Sequence, residues 1–600
     1  MIHFSKAFAH ISSLMVILLW AGCANVVAPT GGPIDEDPPV VVRSTPPNYS
    51  THYKGQDVRI WFDEFVELKN LRQNFLVSPP LENDPEVRIR GRSIIMEVED
   101  TLAKNTTYSF FFGESIVDIT EGNAIPNFQF VVSTGSYLDS LSVRGKVLNS
   151  LTHKPEEGIF VMLYDDVFDS VPMLKRPVYL SKTNKEGEFM ITNMRQGEYL
   201  MFALKDMNAN YLYDTSDEKI AFLDSLITPE FAGHIQQHVG QVEPKGETEG
   251  EKTGVETNGN GLVAPNDTLP GDTILAPPAP DVKTYTLFLF QEKDTVQRLL
   301  SAVPERKGKI NLAFRSPVDS VTIRSYTDPL PENWYIREYS KNRDTLGLWF
   351  AQAPSDTLYL EVSDRGVVLD SVVVSTTPRP ARGRGAPREE DTPTLSITAP
   401  GISARKHPFF KNFTLRSPTP LESFEADSLS LFVNDSVPVA ADFRFSGQAR
   451  RNLEMLNELE PDTAYRLVAM PGAITDIFGA VNDTLTWSFK ATTSADYGSF
   501  LVNLTLPPDD DVPQYILQLL DDKWDVKEYK IIDDSGTYRF DYLAAGNYRL
   551  RLVYDTNANG KWDTGNYLKG IQPERVSVYH EQVQARLNWE VELIWGILPE

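Results

Sequence analysis

Hydrophobic and polar positions alternate along much of this chain. Val58, Ile60 and Phe62 stand two apart, and so do Ile94, Met96 and Val98. Apolar residues crowd the short runs 286–290, 310–314 and 358–362 in the same way. In an extended chain, side chains two apart share a face, so each run predicts a strand with one buried face. Gly and Pro are frequent, at 36 and 41 residues, and supply turns between such strands. The 24 Tyr and 31 Phe suit pleated, half-buried surfaces. The chain is expected to be all-β.

At 600 residues the chain is too long for one core. With about 100–200 residues per domain, several domains are expected. Hydrophobic residues make up 41% and charged residues 23%, an ordinary balance for globular domains. The formal net charge of −26 repels phosphate backbones, so nucleic acid is not an expected partner. The single cysteine, Cys23, excludes an internal disulfide and a thiolate metal cluster. Packed cores must therefore stabilise the domains.

The chain also repeats itself. Asn184, Gly187, Phe189, Met194, Gly197, Tyr199 and Asp206 recur as Asp533, Gly536, Tyr538, Leu543, Gly546, Tyr548 and Asp555, at a constant offset of 349. The first Gly is expected to close a hairpin turn and the second to turn the chain into the next strand. This spacing resembles the transthyretin-like, carboxypeptidase-regulatory-like β-sandwich, over about 142–228 and 499–592. The resemblance implies an accessory, non-catalytic module.

A second repeat precedes each copy. Leu102, Tyr108, Asp118 and Phe130 come before the first; Leu459, Tyr465, Asp476 and Phe489 come before the second. Their order resembles the bacterial Ig-like domain of S-layer and Bacteroidetes envelope proteins. The expected architecture is therefore a tandem of β-sandwiches. An Ig-like domain at 38–135 and a transthyretin-like one at 136–228 come first. A linker at 229–282, a β-domain of unassigned type at 283–376 and a second linker at 377–394 follow. A second Ig-like domain at 395–495 and a second transthyretin-like one at 496–600 close the chain. The stretch 242–282 has little to bury and is expected to be disordered. Arg379, Arg382, Arg384 and Arg388 crowd the second linker; in an acidic chain they read as a solvated linker rather than an RNA-binding run.

The N-terminus reads as an address. Lys6 precedes an apolar run at 11–20, which is too short to span a bilayer and fits a signal peptide over 1–22. The run ends in Trp20-Ala21-Gly22-Cys23, which resembles the bacterial lipobox, although Trp20 stands where that motif has Leu, Val or Ile. The resemblance implies lipidation at Cys23, durable anchoring to an outer membrane, and a tether over 23–37. Acidic residues begin only at Asp35, which leaves the surface and periplasmic faces both open.

Calcium is the one cofactor with a candidate sequence. Asp555, Asn557, Asn559 and Asp563 alternate around Gly560, a spacing in which oxygen ligands wrap a hard cation. Asp206, Asn208, Asn210 and Asp214 repeat it, with Tyr211 in the glycine position. The alternative for both is a polar turn closed by Asx hydrogen bonds. Asp followed by Ser or Thr and then a small or aliphatic residue recurs along the chain and resembles a Bacteroidetes O-glycosylation sequon. Thr268 and Thr273, in the linker, are the candidate glycan sites; elsewhere the pattern reads as a turn leading into a strand. His234 and His238 lack the intervening Glu of a metalloprotease helix. No nucleophile elbow, phosphate loop or dinucleotide fingerprint is present.

These features point away from an enzyme. They suit a lipid-anchored structural or interaction protein whose partners are the membrane and other envelope proteins. The alternative is a glycan-binding lipoprotein of a polysaccharide-uptake system, which predicts an exposed aromatic platform on one sheet.

Overall fold

The computed structural model describes residues 35–231, 283–377 and 394–597, apart from 294–295, 327–328, 332, 435 and 508–511. The described chain is built almost wholly of antiparallel strands in tandem β-sandwiches. It divides into two compact units. One comprises Met1–Val147, Pro155–Tyr213 and Ala221–Leu287; the other comprises Leu148–Lys154, Asp214–Ile220 and Phe288–Glu600.

The first unit opens with a sandwich of two sheets. One sheet runs Val41–Thr45, Val58–Phe62, Ser93–Glu97, Glu86–Ile89; the other runs Leu76–Ser78, Thr107–Gly113, Phe128–Ser133. The period-two residues Val58, Ile60, Phe62, Ile94 and Met96 meet Phe110, Phe112 and Phe130 in its core. Tyr108 anchors a corner: its hydroxyl accepts the Ala103 amide at 2.9 Å. In the second unit a sandwich at about 395–491 repeats this design. Tyr465 accepts the Glu460 amide at 2.8 Å, again five residues upstream. This device resembles the tyrosine corner of Ig-type sandwiches.

The aspartates at the same place in the two repeats also match. Asp118 is buried and accepts the amides of Glu121, Gly122 and Asn123. The Gly122 amide, with its neighbours, holds this carboxyl below the usual carboxylate range, against a smaller opposing effect of burial. Asp476 is buried and accepts the amides of Phe478 and Ala480 and the Thr419 hydroxyl. Each aspartate closes the turn after a short strand, Ile116–Asp118 or Ile474–Asp476.

The 349-residue repeat has a physical basis too. Tyr199 donates its hydroxyl to the Arg195 carbonyl at 3.0 Å, and Tyr548 donates to the Ala544 carbonyl at 3.0 Å. The glycines act differently from the sequence expectation. Gly187 does close its turn at φ +71°, whereas Gly197, Gly536 and Gly546 are absent from the left-handed region. A Cβ on Gly197 would meet the Tyr199 hydroxyl at 3.0 Å. That glycine makes room for the ring rather than bending the chain.

One strand departs from the expected domain order. Thr284–Gln291 was expected to begin the unassigned β-domain. Instead it lies beside Leu141–Asn149 and pairs with Lys219–Phe222 through Lys219↔Gln291 and Ile220↔Phe290. A Cβ on Gly145 would fall 2.0 Å from the Tyr285 carbonyl oxygen, so only glycine admits this strand. Its counterpart in the second copy is Glu590–Gly596, which runs parallel to Gly498–Thr505. Tyr285, Leu287 and Leu289 bury one face there. Separation along the sequence weakens such pairing only slowly, so residues 232–282 intervene at little cost.

The second unit continues with a sandwich whose two sheets run Leu299–Arg306, Lys309–Phe314, Thr345–Trp349, Ile336–Tyr339 and Val321–Ser325, Thr357–Asp364, Val367–Ser375. Ile310, Leu312, Leu346, Leu348, Leu358 and Leu360 fill its core. The last sandwich, from Gly498, packs Phe500, Val502, Leu517, Leu519, Phe540, Leu550 and Leu552 between its sheets.

Candidate functional site

The Asp555 loop follows the strand Gly546–Asp555. Asp555 is fully buried, and its carboxylate accepts the Asn559 amide at 3.0 Å, the Gly560 amide at 2.7 Å and the Gln514 side chain at 2.6 Å. Asn557 donates to Asp563 at 2.7 Å, and Asn559 donates to the same carboxylate. Among the described residues no group of three or more His, Cys, Asp or Glu side chains is arranged to hold a metal.

A residue outside the sequence motif completes the loop. Glu574, also buried, accepts the amides of Thr556 and Asp563, each at 2.9 Å. Burial raises its carboxyl above the usual range, and nearby Asp555 adds to the rise, while the hydrogen bonds oppose it. In the first copy the Asp206 carboxylate accepts the amides of Asn208, Ala209 and Tyr211. Asp214, which belongs to the second unit, donates its amide to the buried Glu218 at 3.1 Å. Asp214 and Asp563 are equivalent by the offset of 349, yet their glutamates stand four and eleven residues downstream. Unequal spacing hid this shared device from the sequence comparison.

Within each unit, neighbouring sandwiches are joined by built contacts. In the first unit the Leu180 amide donates to the Ser78 hydroxyl at 3.1 Å. Arg176 and Lys182 donate to the carbonyls of Leu81 and Gln73 at 2.8 and 2.9 Å. Asn193 donates to the Ser109 hydroxyl at 2.9 Å. In the second unit Trp349 is buried and donates its indole N–H to Glu338 at 2.7 Å. Arg451, from the next sandwich, donates to the other oxygen of Glu338 at 2.6 Å. Arg306 and Lys309 lie over the Trp349 ring at 4.6 and 4.7 Å, close enough for cation–π attraction. At the following boundary Phe410 stacks on Tyr542, with ring centroids 4.3 Å apart.

Residues 35–134 match the family model for the bacterial Ig-like domain. That match covers the first sandwich with its tyrosine corner and buried Asp118. No curated protein matches the sequence. Solved structures similar to the chain include the major pilin subunit BcpA of Bacillus cereus, at 9% identity and TM-score 0.14, covering 76% of this chain and 99% of that one. Domains 1–6 of the surface layer protein SbsC align at 10% identity and TM-score 0.12, covering 91% and 67%. A segment of Escherichia coli alpha-2-macroglobulin aligns at 13% identity and TM-score 0.17, covering 43% and 94%. These likenesses are too weak to bear on function.

Cys23, His234, His238, Thr268 and Thr273 lie outside the described residues, as do Arg379, Arg382, Arg384 and Arg388. Of the Asp-Thr-aliphatic sites within them, Thr357 begins the strand Thr357–Asp364, and the Thr484 amide donates to Asp483 at 2.6 Å just before Leu485–Ala491. Both follow the turn-into-strand reading. Among the described residues no helix is long and apolar enough to cross a membrane.

Proposed function

We propose that this chain is a non-catalytic structural protein of the bacterial cell envelope, anchored to the outer membrane through a lipid on Cys23. Its modules act as a scaffold or accessory subunit for other envelope proteins. The observation that carries this reading is the Trp349–Glu338–Arg451 joint. Successive sandwiches are locked by a buried indole, a shared carboxylate and a guanidinium, where independent domains would need only a flexible linker. Two modules of the second unit joined in this way suit holding partners at a set spacing. The match of residues 35–134 to the bacterial Ig-like domain supports an extracytoplasmic setting.

Two measurements test the reading. Metabolic labelling with a radioactive fatty acid should mark the wild-type chain and leave Cys23→Ala unmarked. Crosslinking in intact cells, with surface proteolysis in parallel, should recover a stoichiometric envelope-protein partner. An unlabelled wild-type chain sinks the anchor, and recovery of no protein partner sinks the scaffold role.

A further inference from the structure

The geometry points to a saccharide-binding groove on the last sandwich, of a kind that takes a neutral oligosaccharide. The groove, of about 400 Å³, is lined by Tyr542, Trp589, Arg539, Asp541, Asn588 and Glu590 at one end of the sheet formed by Gly536–Leu543, Gly498–Thr505 and Glu590–Gly596. That volume falls in the range of small-ligand sites.

Trp589 is 60% exposed, and among the described residues it is the tryptophan left mostly in water. Its backbone is nonetheless pinned. The Ser499 amide donates to the Trp589 carbonyl at 2.9 Å, and the preceding Asn588 amide donates to the Tyr497 carbonyl at 2.8 Å. A fixed main chain thus presents a largely exposed indole, with the Arg586 guanidinium 5.7 Å from the ring centroid, and its apolar surface matches the C–H face of a pyranose ring.

Tyr542 reaches the same groove through a β-bulge. The pairing shifts between Gly498↔Leu543 and Phe500↔Phe540, so one residue is extra on the Tyr542 strand. Asp541 and Tyr542 are consecutive, yet both are exposed, Tyr542 with one ring face stacked on Phe410 and the rest of the ring toward the groove. Bulges re-aim side chains in this way beside binding sites. The first copy has the same bulge, between Leu141↔Met194 and Val143↔Ile191. There Asn193 occupies the position equivalent to Tyr542 and is spent on Ser109.

The polar groups are preset as well. Arg539 donates to Asp541 at 2.6 Å and to Glu590 at 2.5 Å. Guanidinium and carboxylates side by side offer fixed donors and acceptors to hydroxyls, which both donate and accept. Two carboxylates to one guanidinium leave the groove net negative, which disfavours phosphates and uronic acids and selects a neutral sugar.

The test is calorimetric titration of the full chain with cellohexaose, laminarihexaose, mannohexaose and N-acetylchitohexaose. At least one should bind with a Kd at or below about 1 mM. Trp589→Ala should weaken that binding tenfold or more with an unchanged melting temperature, Trp589→Tyr should restore part of it, and Trp524→Ala should leave it intact. Binding by none of the four, or binding indifferent to Trp589→Ala, overturns the proposal. The scaffold reading stands or falls separately, on partner capture.

Discussion

Glu338 divides its carboxylate between Trp349 of its own sandwich, at 2.7 Å, and Arg451 of the next, at 2.6 Å. Both charged side chains are largely shielded, with 24% and 22% of their side-chain area exposed. Hydrogen bonds to charged groups contribute about 1.5–3 kcal/mol. Arg451→Ala should therefore destabilise the chain by about 2 kcal/mol. A double-mutant cycle with Glu338→Gln should return a coupling energy of at least about 1 kcal/mol in denaturant titrations. Additive effects would mean that the joint does not link the two sandwiches.

The two tyrosine corners give a matched pair of tests. Tyr108→Phe and Tyr465→Phe each remove the acceptor of one backbone amide, that of Ala103 or Glu460. Each should cost about 1 kcal/mol, read as a lower melting temperature. An effect at one corner and none at the other would break the equivalence of the two sandwiches.

Acid should weaken the second of these sandwiches through His407. This histidine is buried between Phe413 and Phe489, and its ring lies 2.9 Å from the Pro408 carbonyl. Burial pushes its pKa down, the carbonyl opposes that shift, and the positive charge of Lys411 adds to it. The unfolded chain then binds the proton more tightly than the folded one. Stability is full above the ordinary histidine pKa near 6.5 and falls as the pH drops below it, by at most about 2 kcal/mol at pH 5. His407→Phe should flatten that part of the stability-against-pH curve. An unchanged slope would place the acid sensitivity elsewhere.

The Asp555 loop should keep its fold without a cation, since its own amides fill the Asp555 carboxylate. Chelator should leave the melting temperature where it is, and Asp555→Ala should lower it. A calcium-dependent rise in melting, lost in Asp563→Asn, would instead show that the loop ligates the ion.

Local patterns were legible in the sequence because they repeat with short periods. Alternation at Val58, Ile60 and Phe62 marked a strand whose three apolar residues are all buried. The repeated Tyr and Asp positions marked the duplication, and the structure shows why they recur: each makes hydrogen bonds that close over four or five residues.

Other features depended on residues far apart in the chain. The strand Thr284–Gln291 has the right alternation, but alternation carries no information about which neighbour a strand will choose. Glu574 and Glu218 serve equivalent amides from unequal distances, so an alignment at fixed offset misses them. The sequence by itself determined the strand-forming periodicity, the duplication and the absence of disulfides. Only the tertiary structure decided that Glu338 meets Arg451, and that Tyr542 and Trp589 share one groove. Periodicity is a property of neighbours along the chain, whereas these contacts arise when sheets pack and strands choose partners across long intervals.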